Sequence, residues 1–428
     1  MMKEVFLNRA MKKLLVILIF SVQPLYAASL TDILEKANKY TVKIQNSIIK
    51  PFIGDGYAGS GTGFLVNKKE GLIITNSHVA GSSPATNRVN FKNESPISAE
   101  QVYIDKELDF AILKVDPNLI PKNAIEAEID CKQNYKQGDN TVAFGHPYSK
   151  DFTITRGIIS GIRYEKLATF EAIQTDTPIN PGNSGGPLIS IATGKVIGMS
   201  SFGLDDTEGL NFAVPSIHFC KIIELQAEGK DPSPLNFQVL FASNDNLDNH
   251  LKVSKVLNKD SKLKVGDIVK SINNFGVSNP PQLSTKSRGL NEVKLIILRN
   301  NKEMSLNVKL KSKGSYSDRV GLVVSNALIE NKFSDTYSGV SEEVFNSDGH
   351  LVVQSVDAGL ASGILRMRDI ILRVDGNAIK TVDELKKYLE GKKKVDLILR
   401  RVTYFRDSVV FFDRYDTLEI GEVKYLNF

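Results

Sequence analysis

The chain has no tryptophan, only two cysteines and only five histidines among its 428 residues. Two cysteines are too few for a disulfide scaffold or a four-thiolate zinc site, and no two histidines stand four residues apart, the helical spacing that binds zinc. These absences argue against a metal-centred mechanism, and the sequence implies no metal or organic cofactor. With 42% hydrophobic and 24% charged residues, the composition excludes intrinsic disorder, collagen and coiled coil.

A strong excess of positive charge is also missing. The formal net charge is +5, and it falls to +2 once residues 1–27 are removed, so no nucleic-acid partner is expected. Residues 1–27 resemble a signal peptide, because Lys12 and Lys13 precede an apolar run at Leu14–Phe20 and small residues follow at Ala27–Ala28. The run is short for a bilayer, which disfavours the alternative of an uncleaved anchor. The sequence predicts export to the periplasm, with membrane association or secretion as alternatives.

The two cysteines have two readings in such an oxidising compartment. Cys131 and Cys220 either form one disulfide or remain two buried free thiols. The sequence does not give the distance between them, so both alternatives stay open.

Short β-rich runs separated by Gly, Asn, Asp and Pro fill residues 40–215. The runs are Gly63–Val66, Leu72–Thr75, Phe110–Val115, Thr141–Phe144, Val196–Met199 and Phe212–Val214. Many short strands with turn signals between them are typical of a sandwich or a barrel. A helical stretch, Ser216–Glu228, closes the region, and residues 229–234 form a linker because Gly and two Pro cannot extend that helix.

An internal repeat follows the linker. Residues 266–274 align with residues 368–376, and residues 293–299 align with residues 395–401. Each copy has the order strand, turn, strand, helical patch and final strand, which is the plan of a PDZ domain; in the second copy the patch is Asp383–Glu390. A PDZ domain offers a sheet edge to an extended peptide. The alternative is a pair of structural spacers.

The motif with the most chemical content is NPGNSGGPL at residues 180–188. Ser184 on a tight turn flanked by glycines can be held out as a nucleophile, because Gly adopts backbone angles closed to other residues. The backbone N–H groups of Gly182 and Ser184 can then converge as an oxyanion hole. Taken alone, the string also fits a plain glycine-rich turn.

A serine nucleophile needs a neighbouring base, and the base needs an orienting carboxylate. His78, in TNSHVA, follows an apolar strand, and Asp109, in LDFAILKV, stands at the mouth of another, although a solvated turn residue is the alternative for Asp109. The chain order His, Asp, Ser is that of chymotrypsin-type enzymes and differs from subtilisins and α/β-hydrolases. A second base is not needed, so His146 is interpreted as a loop residue.

These motifs, followed by two PDZ-like modules, resemble the HtrA (Deg) family of exported trypsin-like serine proteases. The resemblance implies an all-β fold with a chymotrypsin-like double β-barrel, and ATP-independent degradation of misfolded or unfolded exported proteins under stress. It implies a triad of His78, Asp109 and Ser184, with oxyanion donors at Gly182 and Ser184. It also implies PDZ domains that bind exposed apolar C-termini, and a homotrimer, or a multiple of trimers, assembled through a segment near residues 30–58.

The resemblance divides the chain into a signal peptide, a protease domain, a linker, a degenerate first PDZ-like domain, and a second PDZ-like domain with a tail. Their predicted bounds are 1–27, 28–228, 229–234, 235–312 and 313–428. In the second module, Arg319, Val320, Gly321 and Leu322 resemble a carboxylate-binding loop, whereas the first module has no Gly in the corresponding turn. We therefore expect the second module to bind peptide.

The substrate pocket can also be predicted from the resemblance. In the trypsin-like fold the residues five and six before the nucleophile, here Ile179 and Pro178, form the floor of the pocket. Neither is charged, so a Lys or Arg side chain would be desolvated without a counter-ion, and small or medium aliphatic residues are expected instead. Leu210, Asn211 and Phe212 resemble the strand that pairs with the substrate backbone, and Asn211 replaces a common Gly, which narrows the pocket.

Two other functions remain compatible with the sequence. One is a chaperone or peptide-binding scaffold whose protease site stays in a resting arrangement. The other is a narrow regulatory protease that cuts a single signal substrate.

Overall fold

The computed structural model describes most of the chain from residue 29 onward. The described ranges are 29–48, 57–81, 85–105, 107–147, 152–165, 170–204, 209–242, 251–256, 260–310, 312, 320–331, 351–356, 359–366, 369–405 and 408–427. The predicted signal peptide and Arg319 lie outside them. Within these ranges no helix has both the length and the apolar character needed to cross a membrane.

A first closed barrel has the strand order β1-β2-β3-β6-β5-β4. Its strands are β1 (Thr41–Ile48), β2 (Tyr57–Asn67), β3 (Leu72–Thr75), β4 (Ala85–Asn90), β5 (Ile97–Asp105) and β6 (Phe110–Lys114). Helix α1 (Leu30–Tyr40) precedes the barrel and begins at a capping box in which Ser29 and Asp32 bond each other's backbone N–H. The short helix α2 (Ser77–Ala80) follows β3, and a 3-10 turn at Pro117–Leu119 follows β6.

A second closed barrel has the order β10-β11-β12-β9-β8-β7. Its strands are β7 (Asn140–Gly145), β8 (Thr153–Glu165), β9 (Phe170–Thr175), β10 (Pro187–Ser190), β11 (Val196–Gly203) and β12 (Asn211–Pro215), and helix α3 (Ser216–Ala227) follows. The six strand runs and the closing helix expected from the sequence are all confirmed. Phe219 of α3 packs against Phe64 and Phe110, so the helix that follows the second barrel packs on the first barrel.

Cys131 and Cys220 form a disulfide, which settles the alternative that the sequence left open. Cys131 lies in the segment of chain that joins β6 to β7, and Cys220 lies in α3, 89 residues later. The bridge therefore ties α3 to the point where the second barrel begins. In the chain-entropy model, closing a loop of this length stabilises the fold by roughly 4–5 kcal/mol.

Two further β units follow α3. The first contains a two-stranded pair, β13 (Val239–Phe241) and β14 (Val253–Val256), and helix α4 (Pro280–Ser287). It also contains a four-stranded sheet of order β16-β15-β17-β18. The strands of that sheet are β15 (Ile268–Ile272), β16 (Phe275–Gly276), β17 (Glu292–Arg299) and β18 (Lys302–Lys309). The second is a sheet of order β24-β23-β22-β21-β20-β19-β25 with helix α5 (Val382–Leu389). Its strands are β19 (Val320–Val324), β20 (Ala327–Asn331), β21 (Leu351–Val356), β22 (Ile370–Val374), β23 (Lys394–Phe405), β24 (Ser408–Glu419) and β25 (Val423–Asn427).

The internal repeat is visible in the side chains of these two units. In the first, Arg299 Nε donates to Asp267 Oδ1 at 2.7 Å; in the second, Arg401 Nε donates to Asp369 Oδ1 at 2.7 Å. Both partners of the second pair stand 102 positions after those of the first. The aligned two-residue turns at 273–274 and 375–376 also share positive φ angles at both positions. The two units are therefore copies of one PDZ-like plan.

Candidate active site

The predicted base and the predicted carboxylate are in contact. His78 lies in α2, directly after the buried strand β3, and Asp109 lies directly before β6, which pairs with β3. The Nδ1 atom of His78 is 2.8 Å from Oδ2 and 3.0 Å from Oδ1 of Asp109. Because an ionised carboxylate only accepts hydrogen bonds, the Nδ1 proton faces Asp109, which leaves Nε2 as the basic nitrogen.

Several donors hold the Asp109 carboxylate ionised. Burial alone would raise its pKa, but His78, the Ser201 hydroxyl and the backbone N–H of His78 together bring the pKa below its ordinary value. Ser201 Oγ donates to Oδ2 at 2.7 Å, and Ser77 Oγ donates to Oδ1 at 2.9 Å. Asn76 adds a bond to the Asp109 carbonyl at 2.9 Å. The sequence interpretation missed these three polar residues; their one signal was that Asn76 and Ser77 immediately precede His78.

Ser184 stands on a turn that both barrels hold. Its carbonyl accepts the N–H of Thr62, on β2, at 2.9 Å, and the Thr62 hydroxyl donates to the Gly182 carbonyl at 2.6 Å. Gly182 has a φ of 106°, and a side chain there would place Cβ 2.3 Å from the His146 carbonyl oxygen. The position therefore needs glycine for both its backbone angle and its close approach. Within the described part of the chain, the N–H groups of Gly182 and Ser184 have no protein acceptor.

The Ser184 hydroxyl donates to the carbonyl oxygen of Ser201, on β11, at 2.8 Å. Activation of this hydroxyl by a base would require its single proton to leave the Ser201 carbonyl. Exchanging one hydrogen bond of this kind costs only about 0.5–1.5 kcal/mol, so the present contact is compatible with a reactive serine.

His146 is a buried residue beneath the Ser184 turn, although the sequence interpretation gave it only a loop position. Its Nδ1 lies 3.1 Å from the Thr62 hydroxyl, and its backbone N–H points to the Gly182 carbonyl at 3.4 Å. The ring also packs edge-on against Phe152, with 4.6 Å between centroids. His146 thus supports the turn, and the sequence offered no signal for this because the contacts join distant segments.

The structure brings part of the predicted pocket together and corrects one detail. The N–H of Ile179 points to Asn211 Oδ1 at 3.4 Å, Pro178 is exposed, and Phe202 stacks on Phe212 at 5.0 Å. The expectation that the strand of Leu210, Asn211 and Phe212 pairs with the substrate backbone is wrong. Strand β12 already pairs with β11 on one side and β9 on the other, so no edge of it is available for substrate.

The predicted peptide-binding residues of the second PDZ-like unit lie on β19, apart from Arg319. One edge of β19 pairs with β20, and the other pairs antiparallel with β25, so that Val320 faces Asn427 and Leu322 faces Tyr425. The edge beside the predicted loop is therefore covered by the C-terminal strand. No group of three or more His, Cys, Asp or Glu in the described ranges is placed to hold a metal ion.

Two closed barrels, with a His–Asp pair from the first and a serine turn from the second, define a chymotrypsin-like serine endopeptidase. A model of the trypsin-like peptidase domain matches residues 61–199. The chain is 31% identical over 289 residues to the putative serine protease HhoA of Synechocystis sp., covering 59% of this chain and 70% of the relative. It is 26% identical over 362 residues to the periplasmic serine endoprotease DegP of Escherichia coli (strain K12), covering 78% and 73%. The chain belongs to the HtrA family of serine proteases.

A solved structure has the same fold. The HtrA-type protease AlgW with decapeptide superposes with a TM-score of 0.52 at 23% identity, covering 67% of this chain and 99% of that one. The likeness extends past the barrels, because strands β1 to β12 cover only residues 41–215, which is far less than 67% of the chain. The fold expected from the sequence, a double β-barrel followed by PDZ-like sheets, is confirmed.

Proposed function

We propose that Ser184, His78 and Asp109 form the catalytic triad of a protease that degrades unfolded or misfolded exported polypeptides. The contact between His78 Nδ1 and the Asp109 carboxylate at 2.8 Å is the observation that supports it most strongly. Ser184 Oγ attacks the scissile carbonyl carbon while His78 Nε2 accepts its proton. His78 then returns the proton to the leaving amine, and water releases the acyl group by the same route.

The negative charge that develops on the carbonyl oxygen needs donors that are already in place. The N–H groups of Gly182 and Ser184 are assigned that role, because Thr62 holds the intervening turn through the carbonyls of both residues. A preorganised donor of this kind contributes about 2.7–4 kcal/mol to the transition state. Asp109, ionised and surrounded by donors, stabilises the imidazolium that forms on His78.

The disulfide and the name of the DegP relative both support a periplasmic protein. Assembly as a trimer or a multiple of trimers stays a prediction.

Substrate class is tested by comparing folded and unfolded forms of one protein. We expect reduced, unfolded casein-like substrates to be cut into many fragments without ATP, while a stably folded protein of similar size stays intact. Extended chain can enter a cleft between two barrels, and a folded domain cannot. A fragment survey of a mixed unfolded proteome is the measurement. If most of that proteome stays intact, the protein is a narrow regulatory protease.

The pocket assignment predicts cleavage after aliphatic residues. In peptides that differ only before the scissile bond, we expect kcat/KM after Val to exceed that after Lys by about 10²-fold or more, because a cation would be desolvated there and neither Pro178 nor Ile179 carries a charge to pair with it. Asn211→Gly should widen the pocket and raise the rate after Phe relative to Val. Faster cleavage after Lys would contradict the assignment of Pro178 and Ile179.

The second PDZ-like unit is proposed to bind extended peptides at β19, with Val320, Gly321 and Leu322 beside the bound end. A peptide can pair with that edge only after β25 leaves it, because β25 forms five residue pairs there. Strand β25 thus competes with any peptide. The apparent affinity equals the intrinsic affinity multiplied by the fraction of molecules in which the edge is free.

Removing β25 should therefore strengthen peptide binding. A variant that stops after Glu422 keeps the bonds from Ser325 Oγ to the Glu419 carbonyl and from Gly421 N–H to Ser325 Oγ, but lacks β25. We expect its affinity for an extended apolar C-terminal peptide, measured by fluorescence anisotropy, to rise about 10-fold or more. Equal affinity in both proteins would show that the peptide binds elsewhere.

A further inference from the structure

The largest fully buried side chain in the described ranges is a cation, Arg288. It directly follows α4 in the first PDZ-like unit, but its partners lie outside that unit. Nη2 donates to Asp105 Oδ2 at 2.5 Å, and Nη1 donates to the Tyr103 hydroxyl at 3.0 Å and to the Pro232 carbonyl at 2.7 Å. Tyr103 and Asp105 belong to β5 of the first barrel. A buried charge is retained only when it is paired and hydrogen-bonded, and here the pair joins two units of the chain.

The surroundings of this pair are closely packed. A side chain at Gly289 would place Cβ 2.4 Å from Leu225 of α3. His218, also on α3, is buried, with Nδ1 2.7 Å from the Thr285 hydroxyl of α4. Burial and then the charge of Arg288 lower the pKa of His218 to about 3, so its ring is neutral near pH 7. The first PDZ-like unit is therefore docked on the barrels through a buried, closely packed contact.

Asp105 connects this contact to the candidate active site. It ends β5, and it pairs with Phe110 at the start of β6, so the turn between the two strands carries Asp109. Its second oxygen, Oδ1, accepts the N–H of Leu108 at 3.0 Å, one residue before Asp109. The same carboxylate thus binds Arg288 on one side and shapes the turn on the other.

The turn needs such support for a reason of backbone geometry. Asp109 has a φ of 48°, in the left-handed region that residues other than Gly seldom adopt and that persists only where the surroundings fix it. Helix α4 adds a second contact to this turn besides that of Arg288, because Ser284 Oγ donates to Glu107 Oε2 at 3.4 Å. Two contacts from the first PDZ-like unit therefore fall within four residues of Asp109.

We propose that Arg288 is a positioning residue for hydrolysis: through Asp105 it fixes the turn that presents Asp109 to His78. The first PDZ-like unit then acts as a structural part of the catalytic centre, independently of any peptide that it binds. This inference rests on the proposed triad. The proposal predicts that loss of Arg288 lowers kcat per active site and leaves KM nearly unchanged.

The test compares two arginines of the same unit. Arg288→Met removes the charge at the contact and leaves Asp105 buried without its partner. Arg299→Met is the matched control, because Arg299 makes a similar pair with Asp267 inside the unit. Steady-state kinetics on a fluorogenic peptide are expressed per active site, with sites counted by a serine-directed phosphonate. We expect Arg288→Met to lower kcat by roughly 10²-fold and to change KM by less than about threefold. Arg299→Met should keep kcat within about twofold of the unchanged protein.

A purely structural role for Arg288 predicts a different outcome. It would lower the melting temperature and the fraction of titratable sites, while kcat per site stayed unchanged, and that result would overturn the proposal. Equal losses of kcat in the two arginine variants would overturn it as well. Arg288→Lys keeps the charge but not the forked geometry, so it should recover part of the kcat that Arg288→Met loses. If Arg288→Met does not fold, Arg288→Lys and Ser284→Ala are measured instead. An unchanged kcat in both of these variants would overturn the proposal. Absence of cleavage by the unchanged protein would instead reject the proposed triad.

Discussion

Replacing Ser184 with alanine (Ser184→Ala) should lower kcat for a peptide substrate by about 10⁶-fold, to the level at which only binding and the oxyanion donors contribute. The fold should survive, because Ser184 is held through its carbonyl, which accepts the Thr62 N–H and is kept in the variant. The change removes one hydrogen bond, from the hydroxyl to Ser201. Peptide hydrolysis together with thermal unfolding of the same sample measures both effects.

Ser98→Ala is the matched control, since Ser98 is an exposed serine on β5. It should cleave peptide as the unchanged protein does. Hydrolysis that persists in Ser184→Ala would contradict the nucleophile. If the unchanged protein also fails to cleave while binding unfolded polypeptide, the scaffold function gains support.

The second large effect is expected at Asp109. Asp109→Asn should lower kcat by about 10⁴-fold near neutral pH, because an amide can donate to His78 Nδ1 and so turn the lone pair away from the serine. Side-chain size is preserved, so the loss of rate should exceed any loss of stability. Peptide kinetics and denaturant unfolding on the same preparation separate the two.

Ser201→Ala supplies a graded comparison for Asp109→Asn. It removes one neutral donor from a carboxylate that keeps the donors on His78 and Ser77. The expected loss in kcat is therefore far smaller, about 10-fold or less. Comparable losses in the two variants would contradict a distinct role for the Asp109 charge in orienting His78.

The architecture was largely predictable because it depends on local patterns. Strand β3, LIIT, is buried at every position, and runs of this kind between turn residues identify barrel strands. The repeat was predictable because the strand segments at 268–272 and 293–299 recur, with similar apolar patterns, about 102 residues later. The disulfide was not predictable, since it depends on where α3 packs after both barrels have formed.

The candidate site was predictable where chemistry restricts residue type, and not where it depends on approach between distant segments. His78, Asp109 and Ser184 carry recognisable neighbours. Thr62 and Ser201 do not, because a threonine on β2 and a serine on β11 become relevant only once the two barrels meet. The predicted role of the 210–212 strand failed for a related reason, since strand order in a closed barrel cannot be read from one strand.

Arg288 shows the same limit more sharply. In the sequence it is one charged residue after a short helix, where a solvated position is the ordinary expectation. Its burial follows from the docking of the first PDZ-like unit against β5, with Asp105 183 residues earlier in the chain. A long-range ion pair of this kind leaves no local pattern.

Labelling by a serine-directed fluorophosphonate, mapped by peptide mass spectrometry, tests the central assignment most directly, because the reagent reports a serine that a neighbouring base activates. We predict a single major adduct on Ser184 in the unchanged protein, and a labelling rate at least about 10³-fold lower in His78→Ala. An adduct on another serine, or an equal rate on Ser184 in His78→Ala, would contradict the account.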